Sequence, residues 1–197
     1  MGKIFCIMGK SSSGKDTIFK LLVEENTHNL KEVVSYTTRP IRNNETHGVE
    51  YFFINKDGLE VWTGRGKVIE VRCYNTAHGE WFYSTIDDGQ IDLSSNENYL
   101  IISTLESFVG IREYYGGENV LPVYIEIDDG LRLQRALERE REQSMPKYEE
   151  MCRRFISDSA DFSESNLESA GVSRKFENYN LDKALDEIKD FIIESIE

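Results

Sequence analysis

The segment that most constrains the fold is GKSSSGKDT at residues 9–17, which follows the apolar run IFCIM and precedes a stretch rich in Leu and Ile. A strand, a glycine loop and a helix in this order form the context that a phosphate-binding loop requires. The two glycines allow the backbone to curl, so that its N–H groups and the positive end of the helix point at one place. The predicted anion site comprises Gly9, Lys10, Ser11, Ser12, Ser13, Gly14, Lys15, Asp16 and Thr17.

Lys15 is expected to reach the β- and γ-phosphates of a nucleotide, and a hydroxyl that follows it is expected to bind Mg²⁺. The next residue is Asp16 rather than Ser or Thr, and the hydroxyl comes one position later. Thr17 is therefore the predicted Mg²⁺ ligand. The alternative is a glycine turn that matches the pattern by chance, and the strand and helix on either side disfavour it.

Composition limits the partners. A chain of 197 residues suits one compact α/β domain with a small insertion. Its 36 acidic and 23 basic residues give a net charge of −13, so neither nucleic acid nor an anionic membrane is an expected partner. Cys6, Cys73 and Cys152 lack paired spacing, which disfavours a disulfide framework or a zinc site, and Cys6 is expected in the core. With no signal-peptide pattern, a cytoplasmic protein is expected.

Apolar runs alternate with helical patterns through most of the chain. Three runs have the length and composition of buried strands and are separated by more than a hairpin, at residues 32–36, 99–103 and 121–127. This alternation predicts a parallel sheet with crossover helices. The more charged second half adds predicted helices at 129–143, from after Pro146 to about 162, and at 181–196.

The block from 37 to 85 breaks this alternation. It contains short β-rich runs at 51–55, 68–74 and 81–85, with turn residues at 56–58. These runs predict a small mixed sheet beside the core. The predicted core is then formed by residues 1–36 and 86–197, and the insertion by residues 37–85.

A second anion site is predicted within this block. Arg39 and Arg42 flank a proline that stiffens the loop, and Tyr51 follows in the next β-rich run. Guanidinium groups can bind a phosphate dianion with two parallel hydrogen bonds, and a tyrosine hydroxyl adds a neutral donor. Two loop arginines alone could equally be solvated surface groups.

Together these motifs resemble the guanylate kinases along nearly the whole chain. The phosphate loop, the segment SYTTRPIRNNETHGVEYFF at 35–53, an acid-bearing strand before a YST triplet and an R-x-x-x-R pattern stand in family order. The segment at 35–53 is the specific part, because many nucleotide enzymes share a phosphate loop. The resemblance implies an α/β P-loop kinase fold, with a parallel core sheet flanked by helices, a mixed β-rich GMP-binding insertion and a helical lid at about 135–155.

The resemblance also implies roles for individual residues. Lys15 and Thr17 match the ATP-phosphate and Mg²⁺ positions. Arg139 and Arg154 match the two arginines of the transfer site, and Asn178 is similar to an asparagine near the adenine of ATP. The positions that match the GMP site are Ser35, Arg39, Arg42, Glu45, Tyr51, Glu70, Tyr83 and Thr85.

The chemistry of such a transfer fits these residue types. A nucleoside monophosphate is already largely ionised at neutral pH, so its phosphate oxygen needs no general base. Catalysis then consists of alignment and charge neutralisation by Lys15, Mg²⁺ and the arginines. His28, His47 and His78 are scattered among polar residues and are expected at the surface, without a metal role.

Glu70 is the acid expected to read the base. One interpretation is a strand carboxylate that faces solvent. The other is a fork that accepts the N1 and N2 hydrogens of guanine, an arrangement that adenine cannot satisfy. Two positions depart from the family pattern: Thr104 replaces an aspartate of the GMP site, and Ser84 replaces a glycine. Because Thr104 supplies no charge, weaker GMP affinity or an altered base preference stays open.

The sequence thus predicts a kinase, monomeric or homodimeric, that moves the γ-phosphoryl group of MgATP to GMP. One alternative is a P-loop kinase of another nucleoside or small-metabolite monophosphate. Another is a non-catalytic guanylate-kinase-like binding module. The intact loop residues Gly9, Gly14, Lys15 and Thr17 favour an enzyme.

Overall fold

The structure is a computed structural model that describes residues 1–25, 29–76 and 79–196. The strands are β1 (Ile4–Met8), β2 (Leu30–Glu32), β3 (Tyr36–Thr37), β4 (Phe52–Phe53), β5 (Val68–Thr76), β6 (Gly79–Ile86), β7 (Asn98–Ile102), β8 (Val120–Glu126) and β9 (Lys175–Glu177). The α-helices are α1 (Lys15–Glu25), α2 (Lys56–Gly64), α3 (Leu105–Tyr115), α4 (Asp129–Arg141), α5 (Tyr148–Asp161), α6 (Glu164–Ser169) and α7 (Leu181–Ile196).

The core is a five-stranded parallel sheet in the order β2-β7-β1-β8-β9. Every residue of β1 is buried, because helices cover both faces of the sheet. Ile4, Cys6 and Met8 pack into the cluster beneath α3, whereas Phe5 and Ile7 pack into the cluster beneath α1 and α7. The predicted parallel α/β core is confirmed, as is the core position of Cys6.

A second sheet of four strands, in the order β4-β3-β6-β5, lies beside the core. The β3–β4 pair is parallel, and the β3–β6 and β5–β6 pairs are antiparallel, so the predicted mixed sheet is confirmed. Its apolar side contains Tyr36, Leu59 and Ile86. A Cβ on Gly110 of α3 would lie 2.8 Å from Cβ of Glu70, so this glycine lets α3 lie directly against β5.

Two predictions of local structure are wrong. The run at 32–36 is not one strand: it pairs with the core sheet up to Glu32 and joins the second sheet only at Tyr36, because Val33 bonds to Leu100 and Ser35 bonds to Phe52. Residues 56–58 form no isolated turn but begin α2. Asn55 caps this helix, since its Oδ1 accepts the Gly58 N–H at 2.8 Å.

The charged segment predicted as helical forms α4 and α5, and the closing amphipathic helix is α7. In α7, Leu185, Ile188 and Ile192 are buried on one face, as predicted. Within the described ranges, no helix has both the length and the apolar character needed to cross a membrane.

Candidate active site

The glycine loop connects β1 to α1 at the carboxyl edge of the core sheet, where open α/β sheets bind ligands. Gly14 has a φ of +92°, which favours glycine, and a Cβ there would lie 2.2 Å from Nδ2 of Asn178. A Cβ on Gly9 would lie 2.7 Å from the carbonyl oxygen of Ile125 in β8. Both glycines therefore allow the loop to lie close to its neighbours.

Two serines of the loop hold hydroxyls without partners. The Oγ atoms of Ser12 and Ser13 are buried and have no hydrogen-bond partner among the described residues. Ser12 also has a φ of +65°, a left-handed conformation that costs a non-glycine residue roughly 1–2 kcal/mol. Buried hydroxyls normally find a partner, and phosphate oxygens would supply acceptors here. The loop therefore has the features of a site shaped for an anion.

Lys15, Asp16 and Thr17 form the first turn of α1. Nζ of Lys15 lies 3.1 Å from Oδ2 of Asp16. Asp16 and Thr17 line the same cavity as Gly14, so a carboxylate and a hydroxyl oxygen lie next to the glycine loop. Oxygen ligands of this kind, together with substrate phosphates, are those that Mg²⁺ prefers. In the parts of the chain that the structure describes, no group of three or more acidic, His or Cys side chains could hold a metal.

This cavity, of about 410 Å³, extends from the glycine loop to α4 and the start of α7. Asn178 lies in its wall, but its side chain is turned to the loop: Nδ2 donates to the carbonyl oxygen of Ser13 at 2.8 Å. Arg135 also lines the cavity, and its Nη2 lies 3.4 Å from the carbonyl oxygen of Asn178. Sequence reasoning did not name Arg135. Its position one turn before Arg139 on α4 was the available signal.

A second cavity, of about 440 Å³, lies where the loop, the second sheet and the two charged helices meet. Its wall includes Ser11 of the loop, Arg42 of the second-sheet segment, Arg139 of α4 and Arg154 of α5. Nε of Arg154 donates to Glu150 at 2.8 Å. Hydrogen bonds from Arg153 and from Arg154 hold the pKa of Glu150 at about 2. Together with Arg132 of α4, four arginines from three segments of the chain thus line one space beside the glycine loop.

The helices α4 and α5 are held together by a buried arginine that sequence reasoning missed. The Arg132 side chain is 1% exposed, and its Cζ lies 3.9 Å from the centroid of the Phe155 ring. Its Nε bonds to Asp129 at 3.0 Å, and its Nη1 bonds to Asp158 at 3.4 Å. Asp158 in turn accepts the backbone N–H of Ser11 at 2.6 Å. This contact fastens α5 directly to the glycine loop.

The predicted second anion site is built around a paired arginine. Nη1 and Nη2 of Arg39 bond to the two oxygens of Glu45 at 2.7 and 2.6 Å. The guanidinium also lies 5.1 Å from the centroid of the Tyr51 ring, which itself lies 5.6 Å from the Tyr83 ring. Arg39 is therefore buried and fixed in orientation, and it does not form an open fork. Arg42 is exposed in the adjacent cavity.

Ser35 and Tyr51 line a third cavity of about 520 Å³, which they share with Asp16 of α1. Burial raises the pKa of Tyr51, so its hydroxyl stays protonated and is a donor. Of the histidines, Nδ1 of His47 accepts the Phe53 N–H at 3.2 Å, a structural contact. His28 and His78 lie outside the described residues.

Glu70 is buried, contrary to the solvent-facing interpretation, and it does not stand alone. Its side chain is 7% exposed, and four donors reach its carboxylate. Thr85 and Ser107 donate to Oε1 at 2.7 and 3.0 Å. Arg72 donates to Oε1 from Nη2 at 3.3 Å and to Oε2 from Nε at 2.9 Å.

Arg72 connects the second sheet to the core. Its Nη1 bonds at 3.1 Å to the hydroxyl of Thr104, which lies just beyond β7 and caps α3. Burial opposes the Arg72 charge, but the charge and hydrogen bond of Glu70, together with the nearby tyrosines, outweigh this effect, so the pKa of Arg72 is raised. Sequence reasoning missed Arg72. The signal was its spacing of two from Glu70, which places both on one face of β5.

The parallel core, the glycine loop and the second sheet define an α/β protein of the P-loop class. The family model described as "Guanylate kinase" matches residues 1–195, and the chain belongs to this family.

Relatives from bacteria carry the same description. The guanylate kinase of Bacteroides fragilis is 32% identical over 126 residues, which cover 63% of this chain and 59% of the relative. That of Mycoplasma pneumoniae is 29% identical over 121 residues, or 61% of this chain and 49% of the relative. That of Clostridioides difficile is 39% identical over 79 residues, or 40% of this chain and 38% of the relative. The chain thus spans less than two thirds of the length of each.

The fold is also similar to that of a solved structure. The crystal structure of guanylate kinase from Anaplasma phagocytophilum superposes with a TM-score of 0.67 at 17% identity, covering 98% of this chain and 85% of that chain. At this identity the similarity establishes the fold alone. It confirms the predicted α/β architecture.

Proposed function

We propose that the chain is an ATP:GMP phosphotransferase, which moves the γ-phosphoryl group of MgATP to GMP and gives ADP and GDP. Membership of the guanylate kinase family supports this activity, and the named relatives are described as guanylate kinases. The alternative of a binding module is disfavoured by a glycine loop that keeps Lys15 and its unpaired, buried serine hydroxyls.

The observation that carries the proposal is the 440 Å³ cavity in which Arg42, Arg139 and Arg154 meet the glycine loop at Ser11. In phosphoryl transfer an acceptor oxygen bonds to the γ-phosphorus as the bond to the β–γ bridging oxygen breaks, and charge is spread over the phosphoryl oxygens. Guanidinium groups in a partly enclosed space are suited to neutralise that charge. Because these arginines come from three segments of the chain, they can contact both the donor and the acceptor nucleotide within one cavity.

On the donor side, we assign the ATP phosphates to the loop from Gly9 to Thr17, with Lys15 at the β- and γ-phosphates. The Asn178 side chain donates to the carbonyl oxygen of Ser13, so we assign it the role of supporting the loop. Mg²⁺, if bound there, would neutralise part of the charge of the ATP phosphates. Thr17 is the predicted ligand, and the Asp16 carboxylate in the same cavity is a second oxygen donor.

On the acceptor side, we assign the GMP phosphate to the surroundings of Arg39, Arg42 and Tyr51, with Ser35, Glu45 and Tyr83 beside them. Glu45 fixes the Arg39 fork, so its contribution is positional. The base is assigned to Glu70, Thr85 and Thr104. Thr85 donates to Glu70, and Arg72 bonds to both Glu70 and Thr104. The division into a core at 1–36 and 86–197, a lid at about 135–155 and an insertion at 37–85 stays a prediction, as do the monomeric or homodimeric state and the cytoplasmic location.

The test is release of ADP from MgATP, with and without GMP, by the wild type and by Lys15→Ala. GMP should stimulate ADP release in the wild type. Lys15→Ala should abolish transfer yet bind GMP with nearly unchanged affinity in calorimetry, because the lysine serves the donor phosphates. If Lys15→Ala kept more than about a tenth of the wild-type kcat, a loss of only ~1.4 kcal/mol, the assignment of Lys15 would be wrong. Binding of GMP without any ADP release would favour the binding module.

A further inference from the structure

The cluster around Glu70, Arg72 and Thr104 limits which hydrogen-bonding groups of a purine base the proposed site can pair with. A carboxylate offers about four acceptor positions. In this cluster three donors act on Oε1 of Glu70, and one acts on Oε2. Each carboxylate oxygen has two lone pairs, so the three donors use all of Oε1, whereas the single donor on Oε2 leaves one acceptor position there for a ligand.

Thr104 adds no acceptor to that count. Its Oγ1 accepts from Nη1 of Arg72 at 3.1 Å and from the backbone N–H of Ser107 at 3.2 Å. A hydroxyl oxygen has two lone pairs, so both are used, and only its O–H is left to donate. The residue that the resemblance implies at this position, an aspartate, would have offered further acceptors.

The two purine edges differ in what they need. Guanine presents O6 as an acceptor, with N1–H and a 2-amino group as donors, whereas hypoxanthine presents only O6 and N1–H. A wall with one free acceptor on Glu70 and further N–H and O–H groups on Arg72 and Thr104 matches O6 and N1–H. It leaves no carboxylate acceptor for the 2-amino group. Adenine reverses the two groups, with an amino donor at C6 and an acceptor at N1. In a pose that places O6 at Arg72 and Thr104 and N1–H at Glu70, adenine would therefore set donor against donor and acceptor against acceptor.

We propose that this site takes 6-oxopurine nucleoside monophosphates with or without the 2-amino group, and so phosphorylates IMP with an efficiency close to that for GMP. This inference rests on the proposed function. An oxygen of the IMP phosphate forms a bond to the γ-phosphorus of ATP, the bond to the β–γ bridging oxygen breaks, and ADP leaves with that electron pair, giving IDP. Arg72 is the specificity-determining residue, since it occupies acceptor positions on Glu70 and Thr104 at once.

The burial of the cluster supports a fixed wall. The side chains of Arg72 and Glu70 are 10% and 7% exposed, and α3 lies against Glu70 where Gly110 has no side chain. Thr85 faces Glu70, and Tyr83 faces Arg72, in the β5–β6 register. Two strands and a helix hold this ion pair in place. Its hydrogen bonds therefore occupy acceptor positions that a ligand cannot use.

The experiment compares kcat/KM for GMP, IMP and AMP by ADP release in the wild type, Arg72→Met, Thr104→Asp and the control Arg65→Met. Arg65 lies on the same insertion and is exposed, and its guanidinium lies over the Trp62 ring. We expect a wild-type GMP:IMP ratio of roughly tenfold or less. Arg72→Met frees acceptor positions on Glu70, and Thr104→Asp supplies new ones. Each should raise the ratio at least about tenfold, whereas Arg65→Met should keep the wild-type ratio.

The outcomes separate this inference from the proposed function. Activity with GMP and a wild-type GMP:IMP ratio above about 100 would overturn the inference and leave the proposed function standing. No activity with either nucleotide would overturn the proposed function itself. If Arg72→Met folds, a ratio equal to that of the wild type removes Arg72 as the determinant. If Arg72→Met fails to fold, Thr104→Asp tests the acceptor count on its own. An unchanged GMP:IMP ratio in Thr104→Asp would overturn that count and with it the proposal. Calorimetric affinities for GMP and IMP give a readout independent of turnover.

Discussion

At the scale of single residues, Glu45 fixes the orientation of Arg39, beside which we propose that the acceptor phosphate binds. Its carboxylate takes both Nη groups of Arg39, and the Arg39 hydrogen bond holds the pKa of Glu45 below its ordinary value of 4.5. A carboxyl with a lowered folded-state pKa contributes stability that is present above its unfolded pKa and is lost as the pH falls through the folded value. The pair therefore weakens on the acid side, below about pH 4.5.

Glu45→Gln should weaken GMP binding about tenfold or more, because the Arg39 fork loses its charged partner and its fixed orientation. It should also flatten the fall in stability below pH 4.5, since this titrating group is gone. Calorimetry with GMP at pH 7 and urea unfolding between pH 3 and 6 measure the two effects. The control is Glu60→Gln, on an exposed position of α2. Unchanged GMP affinity in Glu45→Gln would show that Arg39 does not need its partner.

Residue identities were predictable where the information is local. The residues from Gly9 to Thr17 are continuous in the sequence and form the glycine loop and the first turn of α1, so an anion site could be predicted there before any packing was known. Arg72 could not be assigned in this way. Its pairing with Glu70 and Thr104 depends on the strand face and on the approach of α3, and neither is contained in a motif. The number of donors that already reach the Glu70 carboxylate is likewise a property of the folded cluster.

At the scale of elements, the contact between α5 and the glycine loop is the most consequential. Asp158 places a carboxylate oxygen on the Ser11 N–H, a group of the kind that binds a phosphate oxygen in such loops. The same oxygen lies 3.4 Å from Nη1 of Arg132, which ties α4 to the contact. A bound nucleotide phosphate and Asp158 would thus carry like charges next to one another.

Asp158→Ala should therefore increase the affinity for ATP several-fold, by roughly 0.5–1.5 kcal/mol for one competing hydrogen bond. It should also speed amide hydrogen exchange in α5 of the free protein, because the helix loses its attachment to the loop. Exchange by mass spectrometry and nucleotide titration measure both quantities. Asp161→Ala is the matched control, because the Asp161 carboxylate accepts a hydrogen bond from Ser157 of the same helix at 3.2 Å. Equal exchange in the two variants would rule out the attachment.

Elements were predictable in proportion to their length and periodicity. The buried strands β7 and β8 and the helices α4, α5 and α7 were found, because each carries a sustained pattern. The start of α2 was missed, since Lys56, Asp57 and Gly58 favour a turn when read without the Asn55 cap. The three-residue strand β9 is too short to show a pattern, and it exists because β8 offers it a parallel edge.

At the scale of the whole molecule, one cavity lies between the glycine loop, the second sheet and the charged helices. Each of these parts contributes residues to its wall. In the sequence, Arg139 and Arg154 were assigned to the transfer site and Arg42 to the GMP site, and the folded chain places all three in the wall of one cavity. Glu150 pairs with Arg154, but the wall holds more basic than acidic side chains, and the excess positive charge favours entry of an anion. Phosphate binding and closure of this space are therefore expected to be coupled.

The measurement that tests transfer to a 6-oxopurine nucleotide most directly is the ratio of kcat/KM for GMP to kcat/KM for AMP, determined by ADP release in the wild type and in Glu70→Gln. We expect a wild-type ratio of at least ~100, because adenine leaves the buried groups around Glu70 unpaired. Glu70→Gln should lower it by presenting an amide donor as well as an acceptor. A wild-type ratio near one, or a Glu70→Gln ratio equal to that of the wild type, would contradict Glu70 as the reader of the base.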